Sequence, residues 1–223
     1  MIVFKQKRPD FVLELSSRAV KKITLDDRIT IRTNTKQFLN SQGKLDPIKF
    51  KEVVVPVIKQ LWSKNKLGKC IATALYRTIK NKDEILNIIK EEIGADVDII
   101  SGKEEAELIK AAVAHEFPRK HLLVIDAGGM STEVCVIPGN YSKSFRNDRP
   151  IVLDPSIKNN LSNDKNLLIV VTGESIYKIG HIIENPVIEL EWHTPLQTIL
   201  KQIGVHPVVG TLATPGLGYL LKN

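Results

Sequence analysis

Apolar and polar residues alternate along this chain with two periods, and the switches between them mark its elements. Short apolar runs bounded by turn residues read as strands at 11–15, 20–24 and 29–32, with Ser16-Ser17-Arg18-Ala19 joining the first two. Asp46-Pro47 is a helix start, with aspartate as cap and proline in the first turn. Val54, Val57, Ile58 and Leu61 then form a one-sided apolar stripe, which Pro56 is placed to kink. A strand at 69–73 follows. Asn81 and Glu84 form a capping-box start to a helix whose buried face is Ile85, Ile88, Ile89 and Ile93 and whose C-cap is Gly94. Residues 96–100 alternate as a strand, and Ser101-Gly102 turns into a helix over 103–115. Two apolar runs, 122–125 and 133–137, then form a hairpin. Beyond it, 138–165 reads as a loop-rich connection around one short strand at 151–153. A strand at 167–171 and helices at 174–184, 194–203 and 215–222 complete the pattern, and the alternation of strand and helix makes the class α/β.

Composition narrows the partners. A hydrophobic content of 43% in 223 residues supports a substantial core, and the length allows two domains, expected at 1–115 and 116–223. No apolar run approaches the roughly 20 residues of a membrane span, and the N-terminus has no signal-like apolar region, so no membrane partner and a cytoplasmic location are expected. The net charge of +7 is uneven: residues 1–80 carry 18 basic against 6 acidic side chains, and residues 81–137 carry 6 against 12. A basic segment beside an acidic one suits a polyanion gripped by one part and processed by another, although a lysine-rich surface also serves solubility. Aromatics at 5%, with no zinc-finger spacing, argue against nucleic acid as that polyanion. Cys70 and Cys135 lie inside apolar runs and read as buried free thiols.

The chemistry concentrates in the hairpin, Asp126-Ala127-Gly128-Gly129-Met130-Ser131-Thr132-Glu133. Read alone, Asp-x-Gly-Gly between two strands is equally a β-turn. Its glycines and hydroxyls also expose backbone N–H groups that can cradle phosphate. Asp126 ends one strand and Glu133 begins the next, which brings two carboxylates to one end of the hairpin. Beside a phosphate they would repel the ligand unless a hard cation lay between.

Three segments, in this order, resemble the Ppx/GppA family of exopolyphosphatases and guanosine pentaphosphate phosphatases, which lies in the actin/Hsp70/sugar-kinase superfamily. Ala72-Thr73-Ala74-Leu75-Tyr76-Arg77, with Asn81 four residues on, is similar to its Ala-Thr-x-x-x-Arg…Asn element. Ile99-Ile100-Ser101-Gly102-Lys103-Glu104-Glu105-Ala106 is similar to its Ile-Ser-Gly-x-Glu-Glu-Ala element, and 126–133 to its Asp-x-Gly-Gly-Gly-Ser-Thr-Glu loop. The resemblance is clear over about residues 40–137. It implies a two-domain ribonuclease H-like fold of the actin/Hsp70 type, with a cleft between domains. The activity it implies is metal-dependent hydrolysis of a polyanionic phosphate substrate, polyphosphate or guanosine pentaphosphate. Glu105 falls on the general base. Asp126 and Glu133 fall on the positions of a divalent metal, Mg²⁺ or Mn²⁺. Gly128, Gly129 and Ser131 fall on the phosphate cradle, Arg77 on a phosphate-clamping arginine, and Ser17 on the first phosphate loop. Family members dimerise, which raises a homodimer for this chain.

The departures are specific. Met130 replaces the third loop glycine, where a positive φ would cost methionine roughly 1–2 kcal/mol. Glu107 stands where an arginine is common. The only counterpart of the first phosphate loop, Glu14-Leu15-Ser16-Ser17-Arg18-Ala19, has no glycine. These changes keep open an alternative from another class, a catalytically weak or inactive member that binds polyphosphate or nucleotide as a regulator. An ATP-using kinase of the same superfamily would need an adenosine-binding glycine element, which is barely recognisable in 168–180.

Overall fold

Burial along the strands explains their order in a computed structural model that describes residues 8–118, 120–173 and 194–222. All five residues of β1 (Phe11–Leu15) are buried, Glu14 included, whereas no residue of β3 (Arg28–Arg32) is fully buried. β1 is therefore central and β3 an edge in a sheet of order β3-β2-β1-β4-β5, completed by β2 (Ala19–Ile23), β4 (Gly68–Ala72) and β5 (Val97–Ile99). β1, β2 and β3 form an antiparallel meander, and β4 and β5 run parallel to β1.

The helix expected at Asp46-Pro47 forms as capped: Asp46 Oδ1 accepts from the Ile48 and Lys49 amides at 3.0 and 3.2 Å. It runs as α1 (Pro47–Lys49), a π turn (Phe50–Val54) and α2 (Val55–Leu61). The widened turn ahead of Pro56 absorbs the proline's ring and missing N–H. After α3 (Ala74–Thr78), Asn81 precedes α4 (Lys82–Ile93) without capping it through its side chain. Its Oδ1 instead accepts from the Leu45 amide and its Nδ2 donates to the Leu45 carbonyl, each at 2.9 Å, as a strand partner would. Gly94 closes α4 at φ 70°.

The second sheet repeats the plan of the first. β6 (His121–Ala127), β7 (Ser131–Ile137) and β8 (Ser142–Arg146) form an antiparallel meander, and β9 (Leu167–Gly173) and β10 (Val208–Gly210) run parallel to β6, in the order β10-β9-β6-β7-β8. One face, with Leu123, Ile125, Val134, Ile169 and Val171, forms a core with Leu161 of α6 (Pro155–Asn163) and with Leu196, Ile199, Leu200 and Ile203 of α7 (Thr194–Ile203). The other face meets α5 (Gly102–Glu116), where the Cys135 thiol donates to the Ala106 carbonyl at 3.1 Å. Both cysteines are buried free thiols. Burial pushes the Cys135 pKa up to about 12.

The compact units are 1–101 with 215–223, and 102–214. The division expected near residue 115 would sever α5 from the sheet it covers. It also leaves out the return of α8 (Pro215–Lys222) to the first unit. The 138–165 stretch holds β8 and α6 rather than a loop around one strand. Residues 151–153 form no strand. Gln202 of α7 holds them instead, accepting from the Leu153 amide at 2.9 Å and donating to the Ile151 carbonyl at 2.8 Å. The helix expected at 174–184 lies outside the described residues. Among the described residues, no helix is long and apolar enough to cross a membrane.

Candidate functional site

The register of the second sheet sets four polar side chains in one row. Asp126 lies opposite Glu133 on β7 and Thr172 on β9, and Glu133 lies opposite Ser144 on β8. Directly paired positions share a face, here the one that α5 covers. Glu105, in the first turn of α5, turns inward with Ala106, Leu108 and Ile109 rather than outward with a solvated helix start. A carboxylate oxygen from each of Glu105, Asp126 and Glu133 lies within 4.8 Å of the others, and all three residues are at least nine-tenths buried.

Three negative charges so placed are incompatible with a dry site. At 4.8 Å each pair repels by about 3–4 kcal/mol at an effective dielectric near 20. Three such pairs approach the whole stability of an ordinary domain, about 5–15 kcal/mol. The charge must be met by a proton or a cation. Burial, then Glu105 and Asp126, hold the Glu133 pKa well above the usual carboxylate range, against the pull of two serines. Those serines, Ser131 and Ser144, each donate to Glu133 Oε1 at 2.7 Å. An all-oxygen, anionic, buried donor set of this kind fits a hard divalent cation. Asp126 and Glu133, with Glu105 beside them, are the residues that would hold it.

The hairpin between these acids is closed by the Gly128 amide, which donates to the Ser131 carbonyl at 3.0 Å. A Cβ on Gly128 would lie 2.9 Å from that carbonyl oxygen, so the glycine is required by the approach. Met130 does not take a positive φ, and the strain anticipated for it does not arise. Ser131, expected on the phosphate cradle, commits its hydroxyl to Glu133, so only its backbone remains for an anion. Glu107, which stands where an arginine is common, sits on α5 two residues beyond Glu105.

Several contributors escaped the sequence pattern. Asn147, just past β8, bonds the hairpin three times: its amide donates to the Met130 carbonyl at 3.1 Å, its Nδ2 to the Gly128 carbonyl at 2.9 Å, and its Oδ1 accepts from Thr132 Oγ1 at 3.0 Å. Gly173 ends β9 at φ 100°, and a Cβ there would lie 2.6 Å from the Ala127 carbonyl oxygen and 3.0 Å from Asp126 Oδ1. Its lack of a side chain is what lets Asp126 lie where it does.

In the first unit, the β1–β2 hairpin is the topological counterpart of β6–β7, with different chemistry. Glu14 occupies the place of Asp126, but its cross-strand partner is Lys21 rather than an acid. Lys21 Nζ bonds Glu14 Oε1 at 2.6 Å, and the Gly216 amide at the start of α8 donates to Glu14 Oε2 at 2.9 Å. This acid is neutralised within its own unit. Ser16 closes the turn through its hydroxyl and the Ala19 backbone, while Ser17 is buried and its carbonyl accepts from the Lys36 amide. Arg77, on α3, donates from a guanidinium nitrogen to the Ile100 carbonyl at 2.8 Å. The structure thus brings together Glu105, Asp126 and Glu133 with Gly128, Gly129 and Ser131 in the second unit, and places Arg77 and Ser17 in the first.

A sequence model of the Ppx/GppA phosphatase family matches residues 36–146, a stretch that contains all three acids and the hairpin. Over residues 36–146 this chain belongs to the Ppx/GppA family. A guanosine-5'-triphosphate,3'-diphosphate pyrophosphatase of Photobacterium profundum is 43% identical over 72 residues, which are 32% of this chain and 14% of that protein. The match thus spans about a seventh of that relative's length. Among solved structures, a Ppx/GppA enzyme of Aquifex aeolicus superposes with a TM-score of 0.68 at 17% identity, covering 96% of this chain and 98% of that one. An exopolyphosphatase of Cytophaga hutchinsonii gives 0.67 at 16%, covering 93% and 95%. At these identities the likeness shows a shared fold, two mixed sheets with helices of the actin/sugar-kinase-like kind.

Proposed function

We propose that this Ppx/GppA-family chain is a divalent-cation-dependent phosphohydrolase that releases terminal phosphate from polyphosphate or, as the second candidate, guanosine pentaphosphate. The observation that carries the reading is the convergence of Glu105, Asp126 and Glu133, three buried carboxylates on one face of one sheet. Asp126 and Glu133 hold the cation, Mg²⁺ or Mn²⁺. Bound there, the ion offsets the negative charge that develops on the phosphoryl oxygens. Glu105 takes the proton of the attacking water. Its place in the first turn of a packed helix fixes its direction, which a general base requires. Gly128, Gly129 and the Ser131 backbone seat the terminal phosphate against the hairpin, and the two serine hydroxyls hold Glu133 in register. Arg77 and Ser17 are phosphate contacts by family resemblance alone. The basic residues of 1–80 attract a polyanion.

The test is phosphate release from polyphosphate with Mg²⁺, beside polyphosphate binding on the same sample. Glu105→Gln is expected to lower release by about 10²–10⁴-fold while binding persists. Equal release by the variant would remove Glu105 as the base. A second reading, a regulator that binds without turnover, is favoured by the self-neutralised Glu14, which leaves the first hairpin no acid to offer. Binding by the wild type with no release in either Mg²⁺ or Mn²⁺ would select it.

A further inference from the structure

An anion seat made of backbone works only if its N–H groups point at the ligand and its carbonyls point away. Nothing in a glycine-rich turn enforces that choice. A peptide plane flanked by glycines can flip, exchanging an attracting amide for a repelling oxygen at little cost. In the 127–131 turn the choice is made from outside. The Gly128 carbonyl accepts from Asn147 Nδ2 at 2.9 Å, and the Met130 carbonyl accepts from the Asn147 amide at 3.1 Å. The Gly128 carbonyl and the Gly129 amide belong to one planar trans peptide and point in opposite directions. Fixing the first therefore aims the second. The same holds for the Met130 carbonyl and the Ser131 amide. Among the described residues the Gly129 amide has no hydrogen-bond partner, so it is available to a ligand.

We propose that Asn147 is a positioning residue for phosphate binding: it turns the carbonyls of Gly128 and Met130 outward and so presents the Gly129 and Ser131 amides to the anion. The role rests on the reading of this turn as a phosphate seat. It needs an amide side chain in particular. Thr132 Oγ1 donates to Asn147 Oδ1 at 3.0 Å, which orients the group so that Nδ2 is the atom facing Gly128. An aspartate there keeps the acceptor for Thr132 but puts a carboxylate oxygen against the Gly128 carbonyl, and the clamp becomes a repulsion.

The experiment titrates the full chain with orthophosphate in the presence of Mg²⁺ and follows the Gly129 amide resonance, with polyphosphate kinetics in parallel. Asn147→Asp and Asn147→Ala are expected to weaken orthophosphate binding about tenfold and to raise KM for polyphosphate in step, with a smaller change in kcat. Thr132→Val leaves both clamped carbonyls in place and is expected to give a weaker effect in the same direction. A Gly129 resonance that ignores phosphate in the wild type overturns the phosphate seat and this role together. One that responds equally in the wild type and in folded Asn147 variants overturns the role of Asn147 alone.

Discussion

Glu133 is the residue on which the site's electrostatics turn. Its folded pKa is raised above the ordinary value of 4.5 by burial and by Glu105 and Asp126, so the folded protein holds this proton more tightly than the unfolded chain does. The stability it contributes is complete below the ordinary carboxylate range and is lost as pH rises through the raised value. In EDTA, the free energy of unfolding is expected to fall with pH above about 4.5. Saturating Mg²⁺ is expected to flatten that fall, because the cation replaces the proton and binds better as the acids ionise. Urea denaturation across this range, with and without Mg²⁺, measures both slopes. A chelated protein with no loss on going to neutral pH would mean that the three acids do not share their charge as the geometry requires. The acids themselves were legible in the sequence because each sits in a recognisable motif. Ser144, Asn147 and Gly173 were not, because their roles come from strand register and backbone approach, which a linear pattern does not encode.

The two hairpins show what an element can change while keeping its backbone. β1–β2 and β6–β7 occupy the same place in sheets of the same order, yet one pairs glutamate with lysine and the other aspartate with glutamate. In the first, the acid also receives the N-terminal amide of α8, so this helix is held by a buried charge. Replacing Glu14 with glutamine removes that charge while keeping the shape. It is expected to cost about 2–3 kcal/mol and to expose α8 to limited proteolysis. A variant that melts with the wild type and resists the protease equally would show that α8 docks by its apolar face alone. Most elements could be read directly from the chain, including the Asp46 cap and the bounds of α8. β8 was missed because its SKSFR sequence is that of a polar edge strand with no apolar run. α6 was missed although Asp154-Pro155 repeats the signal of Asp46-Pro47. Asn81 misled in the other direction, since its side chain serves the Leu45 backbone and the Glu84 carboxylate and caps no backbone amide of the helix it precedes.

At the scale of the molecule, a single sheet plan is used twice, and no internal repeat announced it. The shared features are strand order and sense, which many sequences satisfy, while the residues at matching places have diverged in charge. The division after Ser101 was obscured for a related reason: α5 begins with the Ser-Gly turn that follows β5 in sequence, but its buried face belongs to β7 and β8. The contrast between the hairpins reaches beyond the site. One half of the chain carries its counterion in covalent form, as Lys21, whereas the cation proposed for the other would come from solution. Protein kept in chelator at neutral pH is therefore expected to give up the amide protons of β6, β7 and β9 to deuterium sooner than those of β1, β2 and β4. Restoring Mg²⁺ should slow the first group and leave the second unchanged. Mass spectrometry of the labelled peptides would show which half of the protein depends on the ions around it.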